Sequence, residues 1–297
     1  MSRKGQENRM DWWKGIEAVS YIGEPQAWTA MFVTAKSAQL LEGLKDLSEC
    51  LVFAEEGMAV PDALLAKHHF AFSKNPQLAY YHFSLDLARK QAEKDSRRSY
   101  RTLANGARVG ENVSLGQGVV IEAFALVDHD CQLGDRVHIG AGAVVKRAKL
   151  ADAVQLGPHT VIGADGYNLV KLDGNTYSQP TLGSVEVGRS VVIGSQVVVA
   201  AGLAGVTRIG DYSQVDSLCH IHHDCQIGNN VELCSSVSMG GFCQIADDSF
   251  IGIGCRLKNR IKIGRQVVLG MGSVLLTDLP DGVTAFGSPA KVRPEQD

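Results

Sequence analysis

The chain has 297 residues, 45% of them hydrophobic, and a formal net charge of −3. That balance predicts no general affinity for nucleic acid or an anionic membrane surface, so any basic site must be local. The seven cysteines are odd in number and form no CxxC pair, which argues against a disulfide framework or zinc ribbon and for a reducing, cytoplasmic setting.

The first nine residues, Met1 to Arg9, are polar with no apolar run behind them, so no secretory signal is expected. Residues 1–105 read as a small α/β domain. Short strands are expected at Thr29–Val33, Leu51–Ala54 and His69–Ser73. Between the first two, Leu40, Leu41, Leu44 and Leu47 give Ser37–Leu47 a helical spacing. Asn75-Pro76 is a helix start, a capping residue followed by proline at the first helical position, and the helix should run to about Lys94. The basic stretch Lys90–Arg101 reads as a solvated linker, with a phosphate-facing patch as the alternative.

From Val109 onward a different rule applies. Leu115, Ile121, Val127, Leu133 and Ile139 follow at intervals of six, and twelve aliphatic positions from Ile209 to Leu275 keep that interval without exception. A period of six suits neither a 3.6-residue helix nor a two-residue strand; it marks a hexapeptide β-helix. Residues 106–278 are assigned to it, about nine to ten coils at ~18 residues each. Cys131, Cys219, Cys225, Cys243 and Cys255 fall at the small inward position, where a thiol packs as a small hydrophobe. An excursion at 165–184 interrupts the period, and the ten-residue step from Val199 to Ile209 implies a bulge at Gly202–Gly205. Ser190–Thr207 lacks charge over a length that touches the transmembrane threshold, but Val187, Ile193 and Val199 keep it in the coil. Residues 279–297, with Phe286-Gly287-Ser288-Pro289-Ala290-Lys291 and a polar tail from Val292 to Asp297, close the chain without a long helix.

Chemistry concentrates in His220-Ile221-His222-His223-Asp224-Cys225. His223 stands two residues after inward Ile221, at a corner of the coil, where an imidazole can act as a general base with Asp224 as its orienter. A corner histidine with only structural hydrogen bonds is the plain alternative. His222 is expected at an outward strand position, as a surface or interface residue. No metal is expected, because neighbouring strand residues point to opposite faces. Val127-Asp128-His129-Asp130-Cys131-Gln132-Leu133-Gly134 nearly copies this stretch; repeat degeneracy is favoured over a second site at His129. Gly252-Ile253-Gly254 and Gly270-Met271-Gly272 would let a ligand approach the backbone closely, or reflect only tight corners. Lys291 and Arg293 could meet the phosphates of a ligand, or be exposed terminal cations.

The repeat resembles that of the left-handed β-helix acyltransferases, and within them most closely the UDP-3-O-acyl-glucosamine N-acyltransferases of lipid A synthesis. The resemblance rests on the domain order, on Val161-Ile162-Gly163-Ala164-Asp165-Gly166-Tyr167 continued through Asp173-Gly174-Asn175, Pro180 and Leu182-Gly183, and on Ile221-His222-His223-Asp224 in place of Ile-Ala-His-Asn. The C-terminal half is also similar to sugar-nucleotide N-acetyltransferases, in His223-Asp224-Cys225-Gln226-Ile227-Gly228 and in Gly287-Ser288-Pro289-Ala290-Lys291. The resemblance implies left-handed coils and a homotrimer with active sites between subunits. It implies His223 and Asp224 as the catalytic pair, with His222, Asp165 and Tyr167 at a nucleotide-linked amino sugar. It places Gly252, Gly254, Gly270, Gly272, Arg260, Ser288 and Lys291 toward the acyl donor. Thr34-Ala35-Lys36-Ser37 and Asn259-Arg260 stand where the lipid A enzymes carry Asn-Pro-Lys-Tyr and Asn-His. These differences favour acetyl-CoA, or another short acyl-CoA, as donor over an acyl carrier protein. The alternatives are the acyl-carrier-protein-dependent lipid A enzyme and a non-catalytic β-helix scaffold.

Overall fold

The structure, a computed structural model, describes residues 15–172 and 174–293. The polar residues Met1 to Arg9, Asp173 of the excursion and the last four residues of the tail lie outside them. The chain divides into two compact units, one of residues 1–94 and 168–182, the other of residues 95–167 and 183–297.

The first unit holds a parallel sheet in the order Ala18–Val19, Thr29–Val33, Leu51–Glu55, His69–Ser73. Its apolar core gathers Met31, Val33, Val52, Ala54 and Leu64. The segment after the first long strand is a 3-10 helix, Ala35–Leu44, and not an α-helix. Its buried leucines, Leu41 and Leu44, are three apart, and a 3-10 turn brings such residues onto one line. A six-residue helix at Asp62–Lys67 lies outside the sequence expectations. The long helix runs Pro76–Ser96, with Asn75 Oδ1 accepting the Leu78 N–H at 3.0 Å. The excursion forms an antiparallel hairpin, Leu169–Leu172 with Asn175–Ser178, that groups with this unit.

The second unit is the β-helix. Its short strands stack into three sheets of eight, ten and ten strands. The first sheet runs from Ser114–Leu115 to Lys262–Ile263. The second runs from Val120–Ile121 to Val268–Leu269 and on to the terminal hairpin. The third runs from Arg101–Thr102 to Val274–Leu275. In the unbroken part each residue pairs with the one eighteen further on, as His220 with Ser238 and Gln226 with Gln244. The inward aliphatics from Ile209 to Leu275 are at most 5% exposed, so the core is one continuous column that exists only through stacking. The hand is left, as in the solved β-helices that this fold matches. Cysteines at the inward positions donate to carbonyls, Cys225 Sγ to Gly240 O at 3.4 Å and Cys243 Sγ to Lys258 O at 3.1 Å. Burial pushes the Cys131 and Cys219 thiols up to about 11, as expected for inert packing groups.

The unit boundary falls at 94/95, where sequence reading put it at 105/106. Arg98 explains the difference. Its side chain is buried and paired with Asp130 and Asp95, tying the chain after Lys94 to the first coils. Among the described residues, the terminal segment joins the second sheet of the β-helix. Leu279 bridges to Ile263, and Thr284–Gly287 pairs in parallel with Val268–Leu269 before turning into Ala290–Val292.

Candidate active site

The strand His220–Ile221 of the third sheet ends in a turn at His223 and Asp224 that leads into Gln226–Ile227 of the first sheet. Asp224 takes the left-handed conformation, φ 59°, where aspartate is tolerated better than most residues. His223 and Asp224 are each 6% exposed. The imidazole Nδ1–H donates to Asp224 Oδ2 at 2.9 Å. The same oxygen accepts the Leu203 N–H at 3.1 Å, and the Asp224 N–H donates to Thr207 Oγ1 at 2.8 Å. With Nδ1 committed as donor, the neutral ring carries its lone pair on Nε2, the tautomer a general base requires.

The ring lies in a glycine cradle. A Cβ on Gly241 would stand 2.7 Å from His223 Nε2, and one on Gly166 would stand 3.0 Å from His223 Cβ. Phe242 meets the ring edge-on at 5.2 Å between centroids, and the Arg260 guanidinium lies 4.2 Å above Phe242.

Both interruptions of the period converge here. The excursion leaves through Gly166 and returns through Gly183, whose N–H donates to Gly202 O at 2.9 Å; Ser184 N–H donates to Gly205 O at 3.1 Å. That clamps the four-residue bulge, which presents the Leu203 N–H to Asp224. Leu203, Thr207, Gly166, Gly241 and Phe242 were not among the sequence candidates. The ten-residue step and the Gly240-Gly241 doublet were the available signals.

The near-copy at His129 is wired differently. His129 Nδ1 accepts the Glu111 N–H at 2.8 Å, which makes Nε2 the protonated nitrogen of a neutral ring. Tyr100 covers the ring at 4.5 Å, and Asp130 is engaged by Arg98 at 2.6 and 2.9 Å. This copy offers no free lone pair.

His222 lies one residue past the strand, not within it. Its ring stacks on His220 at 4.2 Å and stands edgewise to His223 at 6.2 Å. Desolvation first, then the neighbouring His220 and His223, push His222 down to about 4. A histidine with a lowered folded value binds its proton more readily unfolded. Its contribution to stability is therefore present above about 6.5, the unfolded value, and is lost as pH falls toward 4. His222→Asn is expected to narrow the drop in melting temperature between pH 7 and pH 5, measured by thermal scans. An identical drop in both proteins would refute this.

The sequence-predicted residues divide between two edges of the prism. His222, His223, Asp224 and Arg260 lie on the edge between the third and first sheets. Asp165, paired with Arg147 at 2.6 Å, and Tyr167, 71% exposed, leave the coil from the third-sheet strand Val161–Ala164. Gly252, Gly254, Gly270 and Gly272 lie on the edge between the second and third sheets. Ser288 and Lys291 belong to the terminal hairpin on the second sheet, whose Phe286 sits against Gly270. Gly254 and Gly272 have positive φ, 70° and 68°, so a tight corner alone accounts for them. Within one chain the third sheet separates these glycines from His223. Among the described residues no group of three or more His, Cys, Asp or Glu is placed to hold a metal ion. A groove of about 580 Å³ on the first sheet, lined by Glu186, Arg208, Gln226, Gln244 and Lys262 among others, contains none of the predicted site residues. No helix among the described residues is long and apolar enough to cross a membrane.

Comparison with known proteins agrees with this architecture. The family described as bacterial transferase hexapeptide (six repeats) matches residues 112–147 and 207–241. An acyl-[acyl-carrier-protein]–UDP-N-acetylglucosamine O-acyltransferase of Campylobacter concisus is 26% identical over 191 residues, 63% of this chain and 71% of that protein. A UDP-3-O-acylglucosamine N-acyltransferase of Maricaulis maris is 43% identical over 81 residues, 27% of this chain and 24% of that protein. After the first, the curated relatives compared are covered over 24% to 44% of their length. The solved UDP-N-acetylglucosamine acyltransferase of Campylobacter jejuni superposes with a TM-score of 0.59 at 26% identity, covering 65% of this chain and 74% of that one. Fold, repeat and relatives define the class: the chain is a hexapeptide-repeat acyltransferase.

Proposed function

We propose that this chain transfers an acyl group from a short acyl-CoA, acetyl-CoA foremost, to the amine of a nucleotide-linked amino sugar. The observation that carries the reading is the buried His223–Asp224 pair, bonded at 2.9 Å through Nδ1, with Nε2 beside the space that Gly241 leaves. In the reaction the neutral amine attacks the thioester carbonyl, and Nε2 takes the amine proton as the C–N bond forms. Asp224 stabilises the imidazolium. The tetrahedral oxyanion needs a donor nearby, and the Gly241 N–H, one coil from His223, has no acceptor among the described residues. Collapse breaks the C–S bond, and the imidazolium returns the proton to the leaving thiolate.

The division of the predicted residues over two edges supports a site built between copies in a homotrimer. One subunit would supply His223 and its neighbour the glycine-lined donor track. The names of the relatives divide between O- and N-transfer; the choice of an amine and of coenzyme A rests on the His-Asp-Cys segment and the Gly-Ser-Pro-Ala-Lys terminus. A screen of UDP-, dTDP- and GDP-linked amino sugars with acetyl-CoA, following thiol release, is expected to give turnover with one nucleotide series. Turnover only with a hydroxyacyl carrier protein would move the donor to that class. No transfer from either donor would leave a scaffold.

A further inference from the structure

The corner position of Asp224 recurs one and two coils later as Phe242 and Arg260. All three share the left-handed backbone, φ 59°, 62° and 64°. The edge therefore reads, in register, a carboxylate holding the base, an aromatic wall on that base, and a cation stacked on the wall. Phe242 contacts the His223 ring at 5.2 Å and the Arg260 guanidinium at 4.2 Å. Held over the ring face, the guanidinium keeps N–H groups available to donate. Arg260 forms no ion pair or side-chain hydrogen bond among the described residues, and neither do Lys258 and Lys262 beside it. Arg147, on the same edge below His223, is by contrast neutralised by Asp165 at 2.6 Å. So the cationic end of this edge lies on the C-terminal side of the base.

From this we infer that Arg260 binds the diphosphate of the acceptor, making the nucleoside diphosphate a directly recognised part of the substrate. The inference rests on the proposed function and assigns Arg260 to the acceptor, not to the donor. Span decides between them. Two coils at ~4.8 Å each place Arg260 about 10 Å along the edge from His223. That distance can span a hexose with its amine at His223 and its anomeric phosphates toward Arg260. A pantetheine arm whose thioester lies at His223 carries its phosphates well beyond that reach. The planar fork suits bidentate pairing with phosphate oxygens, which a point charge would not reproduce.

The test is binding of UDP, GDP and dTDP, and separately of coenzyme A, to wild type, Arg260→Ala and Arg260→Lys by titration calorimetry, with KM for each substrate alongside. Arg260 is an exposed corner residue, so folding should be unaffected, and thermal scans check this. Arg260→Ala is expected to weaken the preferred nucleoside diphosphate about tenfold or more, with Arg260→Lys recovering part of it, as for a charge-assisted bond. Coenzyme A binding should not change. Weakening of coenzyme A alone, unchanged nucleotide binding, or no nucleoside diphosphate bound by wild type would each overturn the inference. Unchanged nucleotide binding with normal turnover would leave the proposed reaction standing; loss of turnover in every donor and acceptor combination would remove that reaction itself.

Discussion

His223→Ala should lower acyl transfer by about 10²- to 10⁴-fold, the range of a positioned general base. Among the described residues, the other histidines are less suited to the role. His220 and His222 are both held below the usual histidine range by desolvation, and His129 lies coils away with its lone pair already used. The loss is expected in kcat more than in KM, because the proton moves only in the transition state. Removing the ring also takes one hydrogen bond from buried Asp224, a cost of about 1–3 kcal/mol, so His223→Gln is the control that retains a donor. Asp224→Asn should cost a similar factor by a different route. An asparagine amide presents a donor to Nδ1, the ring then protonates Nε2, and the base is lost with its geometry intact. Stopped thiol-release assays at saturating substrate measure both. Turnover within tenfold of wild type by a folded His223→Ala protein would remove the imidazole from the mechanism.

The fold was legible because one constraint repeats. Each inward aliphatic meets the one eighteen residues on, so the period alone locates Ile209 to Leu275 in the core, where all are at most 5% exposed. The cysteines followed from the same count. The site was legible only in part. His223 and Asp224 belong to a recognisable segment, but their supports lie on other coils. Leu203 reaches Asp224 across an offset of 21 residues and Thr207 across 17. Neither equals the regular coil length: Leu203 lies in the bulge that breaks the count, and Thr207, back in register with the next coil, bonds one residue short of its in-register partner. The edge of the prism could have been read from spacing. Arg260 is 36 residues beyond Asp224, two whole coils, and stays on its edge. Gly254 is 30 beyond, five hexapeptides, and must lie on another. The motif resemblance grouped them, and only the proposed site between copies would bring the two edges together. In the first unit the Asp62–Lys67 helix is too short for periodicity to register, though Pro61 and Asp62 are start signals.

Gly183→Ala tests whether the interruptions exist for the site. The new methyl would stand 2.0 Å from Gly205 O and 2.4 Å from Gly202 O. Both atoms are backbone, so the clash cannot be relieved by a rotamer; strand or bulge must move. Over-packing of this kind costs about 1–3 kcal/mol. The bulge is what brings the Leu203 N–H to Asp224 Oδ2 at 3.1 Å, and Gly202 itself packs so near that a Cβ there would stand 2.8 Å from Asp224 Oδ1. Displacing it frees the carboxylate to swing and the imidazole with it. Misplacement on the scale of 1 Å is enough to cost about 10²-fold in rate, so kcat should fall far more than the modest drop in melting temperature implies. Gly188→Ala is the matched control. Its Cβ would meet Asp211 Oδ1 at 2.5 Å and Asp211 N at 2.6 Å, a comparable clash on the edge between the first and second sheets. The expected outcome is similar destabilisation of both variants with the rate loss confined to Gly183→Ala. Equal rate loss in the two, or a Gly183→Ala enzyme with wild-type kcat, would mean that the bulge does not hold Asp224 for catalysis.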